Sequence, residues 1–213
     1  MRAGFDWDRF QRKPLVAILR GCATDAVPHL VKSLEDGGLT SLEFTFNDPV
    51  EAAVQVRLAR EILGERGHVG AGTVTDLDRL RTALDAGASF IVTPCLNLSV
   101  VAECVARGVP VFPGVLSIHE IVAAQDRGVR CVKLFPADRV GPRFVSRVKE
   151  ILPEMGIMPT GGVSLDTVAA WKRAGADALG VGTPLLDPAL IAAGDWDGLR
   201  RRALAFVEEW STA

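Results

Sequence analysis

The sequence predicts one α/β domain, a single (β/α)8 TIM barrel with an N-terminal helix closing one end. Three observations predict it. Eight short apolar runs alternate with stretches of helical period along the whole chain, which is the pattern of a parallel sheet wrapped by helices. The helical stretches end on glycine, as in DGG at 36–38, DAG at 85–87 and RAG at 173–175. The 213 residues carry no linker or low-complexity stretch, so eight strand–helix units fit one domain spanning residues 1–213.

The runs, in order, are LVAIL (15–19), SLEFTF (41–46), HVGAG (68–72), SFIVTP (89–94), VPVFPG (109–114), VRCVKLFP (129–136), GIMPTGG (156–162) and ADALGVG (176–182). Most are rich in Val, Ile, Leu or Phe, and all are bounded by Gly, Pro or Asp, as strands buried on both faces are. Between them lie amphipathic segments such as DAVPHLVKSLEDGG and VEAAVQVRLAREILGERG. In the second, Val54, Leu58 and Ile62 form a stripe at spacing four. At the chain ends, Phe5, Trp7 and Phe10 suit a helix plugging the barrel base. Leu199, Ala203, Phe206 and Trp210 form the apolar stripe of a last helix. An open doubly wound sheet is the competing topology, but the first strand-to-helix turn lacks G-x-G-x-x-G.

Composition narrows the function. Hydrophobic residues make up 48% and charged residues 23%, enough for a large core and against disorder. A net charge of −2 offers no concentrated basic face for nucleic acid or an anionic membrane. No apolar run reaches the roughly 20 residues that span a bilayer. The first residues, MRAGFDWDRFQRKP, lack the apolar centre of a signal peptide, so a cytoplasmic location is expected. Cys22, Cys95, Cys104 and Cys131 form no C-x-x-C pair and read as buried free thiols rather than metal ligands or disulfides. His29, His68 and His119 are equally scattered, outside any zinc or serine-triad motif.

Lys133 is the strongest chemical signal, because it interrupts an apolar strand in VRCVKLFP. Strand alternation sends Val132 and Leu134 to the helical layer and Lys133 and Phe135 into the barrel. Desolvation there favours the free amine, the nucleophile a carbinolamine requires. A core lysine paired to one carboxylate is the structural alternative. Glu43 follows by the same alternation: Leu42 and Phe44 face outward, while Ser41, Glu43 and Thr45 face inward. A plain ion pair with Lys133 adds little net stability, whereas a carboxylate beside an amine in a cavity can shuttle protons.

The third signal is a split glycine site. Thr160-Gly161-Gly162 follows the seventh strand and Gly182-Thr183 the eighth, where barrel enzymes hold phosphate on backbone N–H groups. Ser164 is placed to cap the helix that follows. Arg20, Thr73, Pro94 and Phe112-Pro113-Gly114 close other strands on the same face. Arg20 presents a fork suited to a substrate carboxylate, or else is a solvated loop arginine.

These motifs together resemble the family of 2-keto-3-deoxy-6-phosphogluconate and 2-keto-3-deoxy-6-phosphogalactonate aldolases, which also includes 4-hydroxy-2-oxoglutarate aldolases. The resemblance spans roughly residues 14–207. LVAILRG, LEFTFNDP, GAGTV, IVTP, FPG, VKLFP, TGGV and the Gly182-Thr183 turn carry it. It implies a class I aldolase in which Lys133 forms the Schiff base and Glu43 transfers protons. It further implies that Thr73, Pro94 and Phe135 line a pyruvate pocket, and that Gly161, Gly162, Gly182 and Thr183 take a phosphate. Pyruvate and a phosphorylated keto sugar acid are the implied ligands of a homotrimer without metal or organic cofactor. Asn47 departs from the gluconate-type pattern, which carries Arg there. Asn47, Arg20 and the GPRFVSRVKEILP stretch look like the galactonate branch, whereas PTGGV looks like the gluconate branch. A sugar-phosphate isomerase or epimerase, or a sugar-phosphate-binding protein without turnover, are the other readings of the same pocket.

Overall fold

The computed structural model describes residues 4–213. The start of the segment read as lacking a signal-peptide centre, Met1 to Ala3, lies outside them. Among the described residues the strands are β1 (Leu15–Leu19), β2 (Ser41–Thr45), β3 (His68–Gly72), β4 (Ile91–Val92), β5 (Val111–Phe112), β6 (Gly114–Val115), β7 (Cys131–Leu134), β8 (Gly156–Pro159) and β9 (Leu179–Val181). The helices are α1 (Trp7–Arg12), α2 (Val27–Asp36), α3 (Pro49–Leu63), α4 (Leu77–Asp85), α5 (Leu98–Ala106), α6 (Ile118–Gln125), α7 (Pro142–Ile151), α8 (Val168–Arg173), α9 (Pro188–Ala193) and α10 (Trp196–Thr212). They build an α/β fold with a curled parallel sheet. One part runs β5-β4-β3-β2-β1-β9 and the other β6-β7-β8, with a parallel bridge from Thr160 to Gly180.

The fifth apolar run is two strands rather than one. Pro113 has no N–H to continue the ladder, so pairing changes partner around it. β5 pairs with β4 before the proline, and β6 pairs with β7 after it. The Pro113 carbonyl still accepts the Lys133 N–H at 2.9 Å.

Strand alternation sorts two cores. Leu42, Phe44, Val132 and Leu134 join the large layer between sheet and helices. Val16, Phe90, Val92, Phe112, Cys131 and Met158 form a second cluster inside the curl, with Phe10. Phe5 and Trp7 pack on that cluster, and Arg130 lies 4.5 Å over the Trp7 ring, so the N-terminal segment covers this end.

The rotation of α3 differs from the stripe expected from its sequence. Asp48 caps the helix by accepting the Val50 and Glu51 N–H groups, and Pro49 sits in its first turn. Its buried face is Ala52, Val56, Ala59 and Leu63. Leu58 and Ile62 are half-buried and Val54 is exposed, because the small alanines let α3 pack closely on β2 and β3. The α10 stripe of Leu199, Ala203, Phe206 and Trp210 is buried. Helix α9 was absent from the strand–helix pattern, although Asp187 capping it and Pro188 in its first turn are a start signal. The thiols also divide differently: Cys104 and Cys131 are buried, Cys22 is half-buried and Cys95 is exposed. Among the described residues no helix is long and apolar enough to cross a membrane.

Candidate active site

The carboxyl ends of the strands bring most of the singled-out residues together. Lys133, on β7, is 5% exposed, and its Nζ lies 5.1 Å from the Phe135 ring centroid. Phe135 stands beyond it at the rim and is itself exposed. Glu43, on β2, is fully buried. Neither of its carboxyl oxygens has a hydrogen-bond partner among the described residues, so the plain ion pair with Lys133 is not formed.

Glycine creates the room for Glu43. Its register partner is Gly70, but its side chain leans along the strand over Gly72, where any Cβ would overlap Glu43 Oε1. Burial pushes the Glu43 carboxyl above the usual carboxylate range, opposed by the positive charges of Lys133 and Arg20. Lys133 and Arg20 thus act on Glu43 through space rather than by contact.

A cavity of about 450 Å³ opens at this face. Its polar wall comprises Arg20, Thr160, Gly161, Gly162, Gly182 and Thr183, with Phe135 at the edge. Gly161 and Gly162 adopt φ of +88° and +74°, a conformation natural to glycine, and a side chain on Gly162 would also strike Asp138. The Ser164 N–H donates to Thr167 Oγ1 at 2.9 Å, which fixes the turn that leads into α8. An apolar wall is built from Leu30, Leu186, Ile191 and Ala192. Sequence reasoning missed the part of that wall formed by Ile191 and Ala192, since α9 was not anticipated.

Arg20 also lines a second cavity of about 160 Å³ together with Thr45, Asn47, Glu51 and Gln55. Gln55 anchors the turn after β1 by donating to the Cys22 carbonyl at 2.8 Å. Lys133 and Glu43 themselves line neither cavity, and nor do Thr73 and Pro94, which lie at the ends of the third and fourth strand segments. Thr73 has φ +57°, a strained conformation for a β-branched residue. Among the described residues no group of three or more His, Cys, Asp and Glu side chains is arranged to hold a metal ion.

The chain is similar to known proteins over most of its length. A family model described as "Aldolase: KDPG and KHG aldolase" matches residues 8–202. The chain is 29% identical to the 2-dehydro-3-deoxy-6-phosphogalactonate aldolase of Escherichia coli over 201 residues, covering 94% of this chain and 96% of the relative. It is 36% identical to the 2-dehydro-3-deoxy-phosphogluconate aldolase of Treponema pallidum, covering 89% of this chain and 88% of the relative. A solved structure described as native KDPGal superposes with a TM-score of 0.87 at 28% identity, covering 93% of this chain and 95% of that one.

Proposed function

From the premise that the chain belongs to the KDPG and KHG aldolase family, we propose that it is a class I aldolase of 2-keto-3-deoxy-6-phospho sugar acids. The substrate is 2-keto-3-deoxy-6-phosphogalactonate, its gluconate epimer, or both, and the products are pyruvate and glyceraldehyde 3-phosphate. One observation carries the reading. A buried lysine stands beside Phe135, which borders the glycine-lined cavity, and its charge acts on a buried, unpaired carboxyl.

Lys133 Nζ attacks the substrate ketone to give a carbinolamine, which loses water to a protonated imine. Glu43 removes the C4 hydroxyl proton. The C3–C4 bond then breaks, its electrons entering the imine to leave an enamine, and the aldehyde departs. Protonation of the enamine and hydrolysis of the imine release pyruvate and regenerate the amine. Gly161, Gly162, Gly182 and Thr183 hold the phosphate, while Arg20 and Asn47 serve the carboxylate and hydroxyl end. Thr73, Pro94 and Phe135 flank the pyruvyl group.

In the same reading the two parts of the sheet are arcs of one closed (β/α)8 barrel, a single domain over 1–213. The enzyme works as a cytoplasmic homotrimer without metal or organic cofactor. Asn47 cannot neutralise charge as the arginine of the gluconate pattern does. The galactonate epimer is therefore cleaved at least as well as the gluconate epimer, which paired kcat/KM measurements test.

The deciding experiment is reduction with borohydride in the presence of pyruvate, followed by intact mass and peptide mapping. One adduct per chain on the Lys133 peptide is expected. Labelling at Lys149 or Lys172 instead refutes the assignment.

A further inference from the structure

Five buried side-chain polar atoms lack a hydrogen-bond partner among the described residues, and three of them lie on one face of one strand. Two are the Glu43 oxygens. The third is Thr45 Oγ1. Thr45 is 7% exposed and ends β2 opposite Gly72, the glycine over which the Glu43 carboxyl leans. Its hydroxyl is therefore at the level of the reacting groups. The residue also lines the smaller cavity with Arg20 and Asn47.

A buried hydroxyl with no partner costs stability, and a valine of the same shape would avoid that cost. No group among the described residues completes the Thr45 hydroxyl, which leaves it for an atom from the cavity that the residue borders. Glu43 does not provide one, as its own oxygens are unpartnered too.

We propose that Thr45 is a substrate-binding residue whose hydroxyl donates to the carboxylate of the pyruvyl group, beside Arg20. This rests on the aldolase reading above. The cavity composition favours the carboxylate over the other substrate oxygens. Arg20 supplies the cationic donor of that cavity, Thr45 a neutral buried donor, and the Asn47 side chain an amide that can donate. The phosphate-sized glycine turns lie in the larger cavity, which Thr45 does not line.

The test uses Thr45→Val and Thr45→Ser in the full chain. It follows hydrogen exchange of the pyruvate methyl group in D2O by NMR, together with kcat and KM for cleavage and the Tm. Thr45→Val is expected to raise the half-saturating pyruvate concentration and the KM for cleavage by about 10- to 100-fold, the range for a hydrogen bond to a charged group. Its Tm should stay level or rise, because an unpaired hydroxyl has been removed. Thr45→Ser should restore binding. An unchanged half-saturating concentration in Thr45→Val overturns the proposal, as does a lower Tm with normal binding, which marks a structural hydroxyl. A lower maximal exchange rate at unchanged saturation also overturns it, since the hydroxyl would then serve proton transfer. Absence of exchange and of Lys133 labelling in the unaltered enzyme refutes the aldolase reading instead, so the two failures are distinguishable.

Discussion

The two ends of the inner face of β2 and β3 treat buried polar groups in opposite ways. At the amino end Ser41 and His68 are register partners. The Asp6 N–H donates to His68 Nε2 at 3.1 Å, Ser41 Oγ lies 3.2 Å from Nδ1, and the Phe5 ring stacks on the imidazole at 4.2 Å. That pattern assigns the proton to Nδ1 and satisfies both nitrogens. At the carboxyl end Thr45 faces Gly72, and Glu43 and Thr45 together hold three unpartnered atoms. The amino-end pair is completed within the protein, whereas the carboxyl-end groups have no partner among the described residues and face the proposed substrate site. Changes at the carboxyl end should therefore move kinetics, and changes at the amino end should move stability.

The largest expected effect is at Lys133. Lys133→Met should abolish the borohydride adduct and reduce cleavage to the uncatalysed background, measured by mass and by pyruvate release. Residual turnover at a substantial fraction of the original rate would remove Lys133 from the chemistry.

Glu43→Gln should lower kcat by about 10²–10⁴-fold, the usual range for general acid–base catalysis, without lowering the Tm at neutral pH. The sign follows from burial. The folded carboxyl is raised above its ordinary value, so its contribution to stability is full at low pH and is lost as pH rises through the raised value. Glutamine does not titrate. The Tm of Glu43→Gln minus that of the unaltered chain should therefore grow as pH rises above the ordinary carboxylate range. A variant that unfolds while its soluble fraction turns over normally would make Glu43 structural, and the comparison would fail.

At the amino end Phe10→Ala should cost about 3–5 kcal/mol in chemical denaturation, as truncation of a buried phenylalanine does. The kcat and KM of the folded fraction should be unchanged. A shift in KM for the phosphorylated substrate would show that the two ends are coupled through the sheet.

The smallest effect concerns His68. Burial pushes its imidazole down to about 4, so it is neutral in the folded chain. The unfolded chain takes up the proton first on acidification. The stability due to this residue is therefore present above about pH 6.5 and is lost as pH falls toward 4. His68→Gln should lower the Tm at pH 7, and the gap should narrow as pH falls, with kinetics unaltered at pH 7.

Much of this site was legible in the chain because strand alternation is local. VRCVKLFP and SLEFTF each declare which residues share a face, so Lys133 and Glu43 emerged as inward-facing without knowledge of their neighbours. The glycine turns were legible too, since the Gly161 and Gly162 conformations are ones that other residues rarely adopt. The same local logic predicted the aromatic cover over the amino end.

What remained depends on contacts between segments far apart in the chain. The face that α3 buries was set by how closely Ala52, Val56 and Ala59 approach the sheet, and period alone could not separate it from the Val54 stripe. The break at Pro113 required knowing which strand each flank would pair with. The partition of the predicted residues between two cavities followed from the registers of β1, β2 and β9, with Arg20 serving both. The sequence by itself determined which side chains point inward, because alternation is written into each strand. Only the tertiary structure decided which of them find partners, because a hydrogen bond depends on what another segment brings within about 3 Å. Ser41 received His68 across its strand pair, and Thr45 received Gly72.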